Sequence, residues 1–88
     1  RMPQPVMRPE EMGRVVREAL VLQQNARPEI AFEVALPPVE VQALCDRRLI
    51  NQALTNLLQN AADSIAARAA AEEEPPQPLG HIRVALDI

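Results

Sequence analysis

The spacing of apolar residues predicts two amphipathic helices. Over 9–25, apolar side chains recur every three or four positions, and Pro9 can occupy the first helical position. Over 46–71, helical spacing gives two neighbouring apolar rows, with Asp46 as the expected N-cap. The rows are Leu49, Ala53, Leu57, Ala61 and Ile65, and Ile50, Leu54, Leu58 and Ala62. We expect this wide apolar face to pack on a sheet.

Alternating patterns of apolar residues predict three strands. They cover 29–36, 40–45 and 81–88. Pro37-Pro38 predicts a turn after the first strand, and we expect the first two strands to pair antiparallel. The remaining segments are an extended lead-in over 1–8 and a charged, proline-rich loop over 72–80.

The order helix-strand-strand-helix-strand indicates a mixed α/β (α+β) fold. Strands in one layer and helices in the other form a two-layer sandwich. With 88 residues, the chain is one small domain or a piece of one.

Composition excludes several classes of partner. A net charge of −3 does not favour nucleic acid, and all nine basic residues are arginine. The single cysteine, Cys45, cannot form an internal disulfide and fits a reducing compartment. No apolar run approaches the roughly 20 residues that span a bilayer, so we expect no membrane contact by this segment.

A row of carboxamides beside the apolar face of the second helix requires an explanation. Gln52, Asn56 and Asn60 are four residues apart and point the same way. Asn is a poor helix former, so two in line in mid-helix are unusual. An amide oxygen suits Mg²⁺ and an amide NH₂ suits a phosphate oxygen, although such a row is also compatible with a solvated helix flank.

The wider motif resembles the N box of sensor histidine kinases. Gln-Ala-Leu-Thr-Asn-Leu-Leu-Gln-Asn-Ala-Ala-Asp-Ser-Ile over 52–65, after Asp-Arg-Arg-Leu at 46–49, is most similar to the nitrogen-regulation (NtrY-like) sensor kinases. The resemblance implies the first half of a Bergerat-type (GHKL) ATP-binding fold, truncated after its third strand. It makes Asn60 the Mg²⁺ ligand and brings Asn56 to the phosphates of ATP or to the metal's water shell. Gln52 and Asp63 become supporting residues.

Position 56 bears on the reaction. The ATP-hydrolysing relatives of this fold carry a Glu there, which can deprotonate water, whereas Asn56 has no titratable oxygen. The resemblance therefore implies transfer of the γ-phosphoryl group to a histidine and then to a response regulator. It also implies the cytoplasmic catalytic portion of a membrane-anchored bacterial sensor. An anti-sigma-factor-type serine kinase shares the fold, but a Glu is generally expected at position 56 there.

The chain lacks other parts that the family requires. No Asp-x-Gly-x-Gly segment follows the third strand, and His81 is not in the family's phosphoacceptor motif. We expect no catalytic residue in this chain, and weak or absent ATP binding by the chain alone. A truncated sheet leaves open strand edges, which predicts self-association. The alternative from another class is a non-catalytic interaction module whose long helix docks a partner.

Overall fold

The computed structural model describes residues 4–87 as an alternation of short strands with two helices. Residues 1–3 of the predicted lead-in and Ile88 of the third predicted strand lie outside the described residues. The elements in chain order are β1 (Arg8–Glu11), α1 (Met12–Ala26), β2 (Ala31–Ala35), β3 (Gln42–Cys45), α2 (Arg47–Ala70) and β4 (His81–Ala85).

The beginning of the predicted first helix is a strand. Residues Arg8–Glu11 form β1. The prediction that the helix begins at Pro9 is therefore wrong, and Arg8 belongs to a strand instead of the lead-in. Glu11 is the N-cap of α1, and its carboxylate accepts from the Arg14 backbone N–H at 2.6 Å. Pro9 and the acidic residues that follow fit a helix start equally well, but cross-strand pairing with β3 holds this segment extended.

The predicted antiparallel pairing of the second and third elements is wrong. β3 pairs antiparallel with β1, with Arg8 opposite Cys45, whereas β2 pairs parallel with β4 over its whole length. Tight hairpins need a turn residue with positive φ, and Pro37-Pro38 supplies none. Two prolines also remove two N–H donors from the connection. The strands separate after β2, and each finds a distant partner.

Residues 4–87 therefore form a pair of sheets with two strands each, and not the single strand layer that we expected. Parallel strands require a crossover connection, and α2 lies within the connection from β2 to β4. All three predicted strands are shorter in the structure than their alternating patterns, because only part of each pattern pairs with a neighbouring strand. The mixed α+β class is confirmed.

The core lies between the two helices and the strands that they cover. α1 packs on α2 and β2, and α2 also contacts β4. The buried apolar side chains are Val15, Val16, Ala19, Leu20, Ile30, Cys45, Leu58, Ala62 and Ala69. Val34 of β2 is 37 % exposed, whereas Ile30, just before the strand, is 2 % exposed.

The first three residues of one of the two apolar rows of α2 are exposed, and the last two are half-buried. Leu58 and Ala62 of the second row are buried, whereas Leu49 and Leu57 of the first row are 49 % and 66 % exposed. Only one sector of a helix can contact α1 and the strands, and it is centred on Leu58, Ala62 and Ala69. In the described part of the chain, no helix is long and apolar enough to cross a bilayer.

Gly80 sets how closely the loop before β4 approaches α2. A Cβ built on Gly80 would lie 2.7 Å from the Ile65 Cγ2 atom. The Gly80 carbonyl accepts from the Ala31 N–H at 3.0 Å, and this bond begins the pairing of β2 with β4. Any residue larger than glycine must therefore displace either the ladder or a branched side chain.

We predict that Gly80→Ala destabilises the chain by about 1–3 kcal/mol through overpacking. Urea unfolding followed by circular dichroism measures the change. The matched control repeats the substitution in an Ile65→Ala background, where the clashing methyl is gone and the cost should be smaller. Equal costs in both backgrounds would contradict the close contact as the cause.

Candidate functional site

Helix α2 begins after a buried N-cap residue. Asp46 is its N-cap, as predicted, and its carboxylate accepts from the Arg48 N–H at 3.0 Å. The first turn is also tied to α1 by an ion pair between Arg47 and Glu18. A capped start and a packed middle fix the rotation of α2 about its axis, and so determine where its polar residues point.

The predicted carboxamide row lies on the outward side of α2. Gln52, Asn56 and Asn60 are all exposed. Asn60 is two residues from both Leu58 and Ala62, which puts it about 200° around the helix from each of these buried residues. The side chains of Asn56 and Asn60 make no hydrogen bond to any part of residues 4–87. Neither amide therefore has a packing role.

Asp63, the fourth predicted site residue, makes an ion pair with α1. The Arg27 Nη1 atom donates to the Asp63 Oδ1 atom at 3.0 Å, and Arg27 Nη2 reaches the Ala62 carbonyl at 3.4 Å. Arg27 Nε also lies 3.5 Å from a Glu29 carboxylate oxygen. The guanidinium thus joins the end of α1 and the entry to β2 to the middle of α2.

This ion pair sets the charge of the outward face. The Asp63 side chain is 73 % exposed, so the pair contributes little to stability. Its electrostatic effect is local, since it puts a cation against the one acidic residue next to the carboxamide row. No local pattern predicts the role of Arg27, because it is 36 residues from Asp63 in the chain.

The concavities that the structure describes lie elsewhere. One of about 700 Å³ lies between the first half of α1 and the Pro37-Pro38 loop. Four others are lined by residues of both helices, β2, β4 and the loops, and none of the five is lined by a predicted site residue. Across residues 4–87, no three His, Cys, Asp or Glu side chains gather into a metal-binding group. The carboxamide row is an open surface.

A third asparagine of α2 differs from the pair in the row. Asn51 lies on the inner side of the helix, and its Oδ1 atom is buried without a hydrogen-bond partner among the described residues. Its sequence context is the same apolar helix, so composition alone does not separate it from Asn56 and Asn60. Only the rotation of α2 assigns one amide to the interior and two to the surface.

The outward face can contribute neutral oxygen ligands and N–H donors to a ligand that approaches α2 from outside. Asn56 and Asn60 are one helical turn apart, which is close enough for both amides to reach one phosphate chain or one hydrated cation. The row contains no titratable group that could accept a proton from water. Positioning and charge neutralisation are the chemistry that it can support.

Comparison with known proteins gives one relative of known identity. Over 84 residues, 96 % of this chain, the sequence is 39 % identical to the nitrogen regulation protein NtrY of Azorhizobium caulinodans. The chain spans about a tenth of the length of that protein. No family model matches the chain, and no solved structure matches it. The chain is therefore similar to one short segment of NtrY.

The exposure of Asn56 and Asn60 leads to a prediction about stability. Asn56→Ala and Asn60→Ala should each stabilise the 88-residue chain by about 0.5 kcal/mol, because alanine is the better helix former and no contact is lost. Gln52→Ala is the matched control and should change stability less, since Gln already favours a helix. Urea unfolding measures all three, and a loss above about 1 kcal/mol at either Asn would reveal a structural role.

Proposed function

We propose that this chain is the N-box half of the ATP-binding domain of an NtrY-like sensor histidine kinase. In the whole enzyme, the γ-phosphoryl group of ATP passes to a histidine and then to an aspartate of a response regulator. The catalytic portion is cytoplasmic and the complete sensor is membrane-anchored. The observation that carries the proposal is the position of Asn56 and Asn60 on the outward face of α2, exposed and without a protein partner.

The similarity to NtrY supports the same proposal. It extends over 96 % of the chain, so it is not confined to the N-box motif. A carboxamide that stabilised the fold would be buried and bonded within the protein. Two helix-disfavouring residues that are exposed and unbonded are available to a ligand from outside, and they lie in a segment that is similar to NtrY.

The donor set fits Mg²⁺ and ATP. Asn60 would hold the metal through its neutral carbonyl oxygen, and Asn56 would donate to a phosphate oxygen or bind the metal's water shell. When bound, Mg²⁺ neutralises charge on the phosphates. Arg27 keeps the nearby Asp63 carboxylate paired, which limits repulsion of the phosphates. Gln52, one turn before Asn56, would extend the polar contact.

The 88-residue chain alone should bind ATP weakly or not at all. The carboxamide row has no walls around it in residues 4–87, and ligand sites normally enclose most of the ligand. Contacts to the base and a cover over the phosphates would come from other parts of the kinase. The chain then contributes one side of the site.

The decisive experiment is a substitution in the longer kinase that contains this segment. Asn60→Ala should lower the autophosphorylation rate by roughly 100-fold or more, because a group that stabilises charge at the phosphates is lost. Gln59→Ala is the matched control, since Gln59 is exposed on the same helix but outside the row, and its rate should be unchanged. Wild-type autophosphorylation by the Asn60→Ala enzyme would refute the assignment.

A second candidate function is a non-catalytic docking module. The exposed Leu49 and Leu57 on α2 favour it, because large apolar side chains on a helix surface commonly bind a partner. The two functions differ in the response to nucleotide. Mg²⁺-ATP is titrated into the longer protein, and the NMR signals of the Asn56 and Asn60 side-chain amides are recorded. These signals should shift if the kinase assignment is correct. No shift would favour the docking module.

We also propose that the 88-residue chain associates with itself. Each described sheet has only two strands, so the unpaired edges of β2 and β4 offer backbone donors and acceptors to another copy. The side chains of β4 that point away from the helices are exposed, and Val34 of β2 is partly exposed as well.

Light scattering after size-exclusion chromatography should therefore give a mass that rises with protein concentration. Ala85→Lys places a charge on an exposed position of the β4 edge and should reduce the association. Gln52→Lys is the matched control, because it adds the same charge on α2, away from both sheets. A monomer at every concentration would contradict this proposal.

A further inference from the structure

Asp46 bonds to two segments that are far apart in the chain. Its Oδ1 atom accepts from the Arg48 N–H at 3.0 Å, which caps α2. Its Oδ2 atom accepts from the Val6 N–H at 2.8 Å, across a sequence separation of 40 residues. The side chain is only 4 % exposed, so both bonds form away from bulk water. One carboxylate thus binds both the start of α2 and the segment before β1 that contains Val6, which we call the entering chain.

The bond to Val6 continues the pairing of β1 with β3. The ladder places Arg8 opposite Cys45, and Asp46 follows directly in the chain. Val6 lies two residues before Arg8. The segment opposite Val6 is already the start of α2, so β3 has no backbone carbonyl there to accept from the Val6 N–H. The Asp46 side chain provides that acceptor in place of a carbonyl.

Electrostatics makes the two bonds interdependent. The pKa of the Asp46 carboxyl lies below its ordinary value, first because the Val6 N–H donates to it and then because of the bond from Arg48, while burial opposes the change. A buried carboxylate that loses one of two donors keeps its desolvation cost with less compensation. Because the two bonds together fix the side-chain torsions of Asp46, loss of one donor leaves the carboxylate able to rotate toward water and away from the other donor.

We propose that Asp46 couples the segment before β1 to the first turn of α2, so that displacing Val6 loosens the start of the helix that carries Asn56 and Asn60. The coupling is reciprocal, since weakening the cap also weakens the hold on Val6. It does not depend on nucleotide binding. In a kinase of the proposed type, it would transmit movement of the entering chain to the carboxamide row.

Amide hydrogen exchange of the 88-residue chain, measured residue by residue by NMR, tests the coupling. Val6→Pro removes the donor and leaves Asp46 and α2 unchanged, whereas the matched control Val6→Ala keeps the donor and removes most of the side chain. In Val6→Pro, the amides of Arg48 and Ile50, which bond to Asp46, should exchange roughly fivefold faster or more than in Val6→Ala. The core amides of Ala19 and Leu58 report whether the whole chain has been destabilised.

Equal exchange of Arg48 and Ile50 in the two variants would overturn the coupling. A second variant tests the contact itself. Asp46→Ser keeps a good N-cap with one short side-chain oxygen, so the Val6 amide should lose its protection. A Val6 amide that stays protected in Asp46→Ser would show that another group holds the entering chain, and the proposal would fail. Neither result depends on whether the longer protein is a kinase.

Discussion

The burial of Leu58, Ala62 and Ala69 on one side of α2, which packs on α1, determines most of what this chain presents to its surroundings. A helix with two apolar rows can be rotated to bury either, and each choice sends a different set of polar residues outward. Burial of the row that contains Leu58 turns Asn51 inward and exposes Asn56 and Asn60. The candidate site is thus a consequence of how the core is filled, although none of its residues is in the core.

Local signals in the sequence were sufficient for features whose partners are close in the chain. Asp46 is the N-cap of α2 as predicted, because capping depends on residues within one turn. The strand β4 shows the predicted alternation between half-buried and exposed residues. Both predictions concern a single element. The predicted start of α1 was wrong although it also concerns a single element, because Pro9 and its acidic neighbours fit a strand end and a helix start equally well.

Features that depend on distant partners could not be predicted from these patterns. Alternation identified β2 and β3 as strands but gave no information on their partners, which are β4 and β1. Both apolar rows of α2 contain leucine, isoleucine and alanine, so the exposure of Leu57 depends on where the rest of the chain packs on α2. The Arg27 contact with Asp63 is of the same kind. Each requires knowledge of the path of the chain between the residues concerned.

Asp63 on α2 and Asp46 at its N-cap have different consequences for the proposed nucleotide surface. Asp63 is exposed and pairs with Arg27, so solvent screens the interaction and its main effect is on local charge. Asp46 is buried and bonded to backbone donors on both sides, so little screening is possible and the geometry of its neighbours depends on it. The residue nearer the carboxamide row thus tunes its electrostatics, while the residue at the start of the helix controls its position. An effect on Asn56 and Asn60 can therefore arise more than two turns away, without any change at the row itself.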